Sequence, residues 1–127
     1  MIENSLVKKV RIKPIQKIAV LNSPPGYLSS LGDLPDGVVL DEELNGMYDL
    51  IHAFFKQMSV MDAQIVELKS ALVEYGILWI SYPKQSAKQH TDLNRDILRE
   101  SLLNQGLKGV AQISIDDTWS ALRIKTL

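Results

Sequence analysis

Apolar residues along the chain alternate between two patterns. Some form short unbroken runs, and others recur every three or four positions. Ile18-Ala19-Val20-Leu21 is a run closed by Asn22-Ser23-Pro24-Pro25-Gly26, the signature of a strand buried on both faces. Val38-Val39-Leu40, following the turn Pro35-Asp36-Gly37, reads as a second strand ending at Asp41-Glu42-Glu43, and residues 48–55 read as a third. Ile77 to Tyr82 is a fourth strand, stopped by Pro83. Helical periodicity appears between these runs. Met61, Ile65, Leu68 and Leu72 share one face of a helix that Ser59 would cap and Gly76 would close. Leu93 with Ile97, and Leu98 with Leu102, mark another helix, from a cap at Thr91 to about Gln105, with Gly106 behind it. Residues 4–12 and 27–31 have room for short helices. Val110–Ile115 and Trp119–Lys125 form a closing hairpin across Asp116-Asp117-Thr118.

Strands alternating with helices predict an α/β fold. The expected architecture is a compact three-layer Rossmann-like sandwich, with a mostly parallel sheet joined by helical crossovers and a C-terminal antiparallel hairpin. The 127 residues fit a single domain over 1–127. With 46% hydrophobic but only 6% aromatic residues, its core must be largely aliphatic. The absence of cysteine excludes disulfides, thiolate metal sites and cysteine nucleophiles.

Charge changes the picture more by position than by total. The net charge of −1 lacks the basic footprint of general nucleic-acid binding. Residues 1–17 carry five bases and one acid, whereas residues 18–55 carry six acids and no Lys or Arg. The basic start suits a solvated helix or a docking arm for an acidic partner. No segment has the ~18–20 apolar residues of a membrane span, and Met1 to Pro14 lacks the apolar stretch of a signal peptide. A cytoplasmic protein is expected.

Three stretches resemble Rossmann-type methyltransferases that use S-adenosylmethionine. Residues 12–21 are similar to the approach to their first strand, Tyr48-Asp49-Leu50-Ile51-His52 to their fourth, and residues 72–80 to a helix end and fifth strand. That family's G-x-G-x-G turn falls on Asn22, Pro24 and Gly26, so only the third glycine is kept, and its strand-end acid falls on Val20. Asp41 lies where an acid would bind ribose hydroxyls, although it also belongs to a solvated acidic run. The space between Asp41 and Tyr48 is too short for the third strand and helix of a full enzyme. Asn22-Ser23-Pro24-Pro25-Gly26-Tyr27 is similar to the N-P-P-Y loop of amino-methyltransferases, but Ser23 and Gly26 interrupt it and it follows the wrong strand. The chain also resembles, almost end to end, a small bacterial Rossmann-like family of unknown function. That likeness rests on residues 19–27, 79–84, 91–100 and 117–123. It implies the fold and brings no catalytic residue with it.

In open α/β sheets, ligands bind beyond the carboxyl ends of the strands, an edge built here from residues 22–27, Asp41, Phe55-Lys56 and residues 81–84. The candidate ligand-binding residues are therefore Asn22, Ser23, Pro24, Pro25, Gly26, Tyr27, Asp41, Ser81, Tyr82, Lys84 and Lys88. Ser81, Tyr82 and the two lysines offer hydroxyls and positive charge to an anion, and Thr91 opens a helix whose free N–H groups favour one. His52 reads as a hydrogen-bonded core residue rather than a base. His90 with Asp92 gives too few ligands for a structural metal site, and Ser81 lacks the G-x-S-x-G elbow of a nucleophile. No catalytic residue or metal site is expected. The chain reads as a non-catalytic protein that binds a small ligand or protein partner at these loops, as a monomer or homo-oligomer. The alternative is a reduced methyltransferase holding S-adenosylmethionine, or a nucleotide, through Gly26 and Asp41. A third reading is an interaction module using the basic N-terminus or the hairpin.

Overall fold

The computed structural model describes residues 5–87 and 90–126. Its strands are β1 (Lys17–Leu21), β2 (Val39–Asp41), β3 (Tyr48–Phe54), β4 (Leu72–Pro83), β5 (Leu107–Ser114) and β6 (Trp119–Thr126). The helices are α1 (Ser5–Lys9), α2 (Tyr27–Leu31), α3 (Met58–Ser70) and α4 (Arg95–Leu103), with one 3-10 turn at Gln85–Ala87. One six-stranded sheet has the order β2-β1-β3-β4-β6-β5. β1 pairs in parallel with β2 and β3, and β3 with β4, while β6 runs antiparallel to both β4 and β5. The hairpin thus extends one side of the sheet, with its antiparallel strand one place in from the edge.

Period-2 alternation sorts each central strand between two cores. Ala19, Leu21, Ile51, Ala53, Leu78, Ile80 and Tyr82 face α3 and α4, together with Met61, Ile65, Leu68, Leu98 and Leu102. Ile18, Val20, Leu50, Phe54, Trp79 and Ala121 face the other way, with Val7 of α1 and Tyr27 and Leu31 of α2. This is the three-layer arrangement expected from the sequence.

The helix ends depart from expectation. Ser59 does not cap α3. Gln57 holds the cap position without a side-chain bond, and the Met58 N–H donates instead to Asp92 Oδ1 at 2.7 Å. Asp62 accepts from Ser101 Oγ at 2.9 Å, tying α3 to α4. Gly76 closes no helix. α3 ends at Ser70 and the chain enters β4 at once, and a bulge spans five positions from Leu72 to Ile77 against two from Tyr48 to Leu50. In α4 the cap is Asn94, whose Oδ1 accepts the Ile97 N–H at 2.9 Å. Thr91 Oγ1 instead accepts the Leu93 N–H and donates to the Lys56 carbonyl. Asn94→Ala should therefore cost about 1 kcal/mol in urea melts, whereas Ser59→Ala should cost almost nothing at the start of α3.

β2 is the edge strand, and the chain returns from Asp41 to Tyr48 through only six residues. That connection passes on the α3 side, where Leu44 packs against the core.

Candidate functional site

The strand order reverses direction between β1 and β3, since the chain moves outward from β1 to β2 and then returns to the other side of β1. The loops after β1 and β3 meet at this switch point. They line a cleft of about 410 Å³ formed by Asn22, Pro24 and Pro25 on one side and Phe55, Lys56 and Val60 on the other, with Phe54 and Trp119 at its base. A neighbouring cleft of about 590 Å³ shares Pro24, Pro25, Lys56 and Trp119, and among the residues it adds are Leu6, Gly26, Tyr27 and Asp116. Both volumes suit a small molecule.

The loop between β1 and α2 has its own geometry. Asn22 sits at φ 58, a left-handed conformation that Asn tolerates better than most residues. Gly26 sits at φ 87, and the space where a Cβ would project is open. Pro24 and Pro25 contribute no N–H to the loop, and the Tyr27 N–H is spent on the Pro24 carbonyl at 3.1 Å. Ser23 is half-buried.

Tyr27 turns inward. Its hydroxyl lies 2.9 Å from His52 Nδ1, and His52 Nε2 lies 2.6 Å from Ser81 Oγ. His52 and Ser81 are buried, and the His52 ring stacks on Phe54 with centroids 4.3 Å apart. Burial lowers the His52 pKa to about 3 and pushes the Tyr27 phenol up. The three groups resemble a nucleophile, base and orienting partner, but both histidine and serine are closed off from solvent. The expectation that His52 is a hydrogen-bonded core residue holds.

The other candidate residues lie elsewhere. Tyr82 and Lys84 line a separate cleft of about 520 Å³ with Ser86, Asn94, Arg95 and Asp96. Adjacent residues of a strand point to opposite faces, so Ser81 joins His52 on the α2 side while Tyr82 faces α4. The clefts lined by Pro24 and Pro25 include none of residues 81–84. Asp41 accepts the Tyr48 hydroxyl at 2.7 Å and lines neither switch-point cleft. Lys88 lies outside the described residues. His90 and Asp92 line a cleft of about 350 Å³ with Gln57, but Asp92 is committed to the start of α3. No group of three potential metal ligands occurs among the described residues. Phe55 and Lys56 belong to the strand-end edge read from the sequence, whereas Val60 does not, and Trp119 was read only as one face of the last strand.

No family model and no curated protein matches the chain. Solved structures do. The ribosomal protein L11 methylase of Lactobacillus delbrueckii subsp. bulgaricus aligns with a TM-score of 0.61 at 15% identity, covering 96% of this chain and 75% of that one. A SAM-dependent methyltransferase from Thiobacillus denitrificans, in complex with S-adenosyl-L-homocysteine, gives 0.62 at 10% identity over 97% and 90%. One from Geobacter sulfurreducens, in the same kind of complex, gives 0.63 at 12% identity over 97% and 89%. The chain has the fold of the S-adenosylmethionine-dependent methyltransferases.

Among the described residues the sheet carries no strand outside β2. For S-adenosylmethionine the switch-point cleft would supply apolar contacts at Pro25, Phe55 and Val60 and a cation at Lys56, with Gly26 on the adjoining cleft. It lacks the full glycine turn, so the fit rests on shape and apolar contact more than on backbone donors. Among the described residues no helix is long and apolar enough to cross a membrane.

Proposed function

We propose that this chain is a reduced methyltransferase-type protein that binds S-adenosylmethionine, or its demethylated product, in the cleft between β1 and β3. The observation that carries the reading is the position of that cleft. It opens at the carboxyl ends of parallel strands, at the point where the strand order reverses, on a fold shared with methyltransferases. Pro25, Phe55 and Val60 would flank the adenine, and Lys56 would face the cofactor's carboxylate. The bound cofactor would supply an activated methyl group.

Calorimetry tests this directly. Either compound is expected to bind with a Kd tighter than ~1 mM, about 4 kcal/mol. Lys56→Glu should weaken binding by about tenfold, ~1.4 kcal/mol. Absence of heat with both compounds sinks the reading.

A second reading, binding without transfer, is favoured by one observation. Lys56 is the sole ionisable residue among those lining this cleft, and Asp116 of the adjoining one is engaged by the Thr118 and Trp119 N–H groups, so neither offers an uncommitted carboxylate or an imidazole to take a proton from an acceptor. Turnover separates the two readings. S-adenosylhomocysteine should accumulate with a panel of amine and hydroxyl acceptors on the first and stay at the protein-free rate on the second.

A further inference from the structure

We propose that a second cleft, between the end of β4 and the start of α4, binds a phosphate monoester group, with the Tyr82 hydroxyl, Lys84 and Arg95 as its donors. The proposal is independent of the S-adenosylmethionine reading, because the residues lining this cleft line neither switch-point cleft.

The first observation is an unpaired polar atom. Tyr82 is 4% exposed, and its buried Oη has no hydrogen-bond partner among the described residues. Buried polar groups are almost always satisfied, so an orphan at the wall of a cleft calls for an external partner. Burial pushes the phenol upward, with Arg95 and Arg99 acting against that shift and Asp96 with it. At neutral pH the hydroxyl keeps its proton and needs an acceptor.

The second observation is what surrounds it. Tyr82, Lys84 and Arg95 line one cleft of about 520 Å³. Lys84 Nζ is steadied by Ser114 Oγ at 2.7 Å, and an ammonium has two further N–H groups to offer. Arg95 meets Asp96 only through Nε, at 3.4 Å, which leaves the outer edge of its guanidinium for a ligand. Asp96 is the one acid in the lining and is set against two cations. The N–H groups of Arg95 and Asp96 open the first turn of α4, ahead of the Ile97 N–H that Asn94 already satisfies.

Donors thus converge from β4, the segment after it and α4. A tetrahedral phosphate monoester presents three terminal oxygens and nearly two negative charges to donors on different sides, against two coplanar oxygens and one charge on a carboxylate. Arg presents a planar fork that pairs well with phosphate.

The test is an amide-shift titration of the full chain with inorganic phosphate, with acetate at matched ionic strength beside it. Phosphate is expected to give saturable shifts at Lys84, Arg95 and Asp96. Lys84→Ala and Arg95→Ala should each weaken binding at least about tenfold. Tyr82→Phe should weaken it too while leaving the melting temperature unchanged or raised, since that variant removes an unsatisfied hydroxyl. Three results would overturn the proposal: no saturable shift with phosphate, equal binding of acetate, or full affinity in both cation variants. A lowered melting temperature in Tyr82→Phe would also overturn it, by showing that the hydroxyl is already paired within the fold.

Discussion

Acidification is expected to destabilise this protein well above the range in which carboxylates titrate, and His52 is the reason. The imidazole is 1% exposed and lies between the hydroxyls of Tyr27 and Ser81. A neutral imidazole has one donor and one acceptor, and hydroxyls at both ends suit either tautomer. The protonated ring would be charged in an apolar layer beside Phe54, so burial lowers its pKa from 6.5 to about 3. The unfolded chain therefore takes up a proton that the folded chain refuses. The stabilisation is complete above the unfolded value near pH 6.5 and is lost as pH falls toward about 3. The slope approaches ~1.4 kcal/mol per pH unit. Between pH 6.5 and 4.5 that is roughly 2–3 kcal/mol, a large part of the ~5–15 kcal/mol holding a typical domain together. Urea midpoints at pH 7.5, 5.5 and 4.5 measure it. His52→Asn should be less stable at pH 7.5 but lose much less on acidification. If the variant keeps the wild-type slope, the proton is binding elsewhere.

Much of the architecture was legible because periodicity is a direct record of burial. Ile18 to Leu21 could only be a strand covered on both faces, and α2 falls on the span read for it. Caps were less legible, because a cap is a geometric role open to distant residues. Asp92 satisfies the first N–H of α3 from 34 positions away, so no local motif around Ser59 could show it. The Gly76 assignment failed for a related reason. The left-handed residue is its neighbour, Tyr75 at φ 63, inside a β4 bulge, and a Cβ on Gly76 would come within 2.7 Å of Leu72 Cγ. A side chain in the left-handed region is rare enough that sequence gives no warning of it.

The candidate site shows the same limit. Grouping Ser81 with Tyr82 as neighbours at a strand end was sound for the backbone and misleading for the side chains. One position of sequence separates them, and the sheet lies between them. Loop lengths were more informative. Six residues between β2 and β3 leave no space for a further strand, and the sheet duly ends at β2. The prolines in the first loop also had a readable consequence, since a loop with two fewer N–H groups is a poorer cradle for a polar ligand.

The other large effect is expected at Trp79. Its ring is buried in the core beneath α1 and α2, and its Nε1–H donates to the Val10 carbonyl at 3.0 Å. That bond ties the segment leading out of α1 to the middle of β4, 69 positions on. Trp79→Ala removes both the ring and the tether and should cost about 3–5 kcal/mol, enough to shift the melting transition by more than about 10 °C. Trp79→Phe separates the two contributions. It keeps most of the apolar volume but leaves the buried Val10 carbonyl unpaired, at a cost of roughly 1–3 kcal/mol. The N-terminal segment carries Lys8, Lys9, Arg11 and Lys13, so trypsin reports on the tether itself. In Trp79→Phe, cleavage there should speed up before global unfolding does. If the segment stays protected, packing of Val7, Val10 and Ile12 alone holds it down. Loss of the tether has a consequence for the switch-point region as well, because Leu6 of α1 forms one wall of the cleft shared by Pro24, Gly26 and Trp119. A loosened α1 would open that wall, so cofactor affinity should fall in Trp79→Phe although Trp79 itself lines neither switch-point cleft.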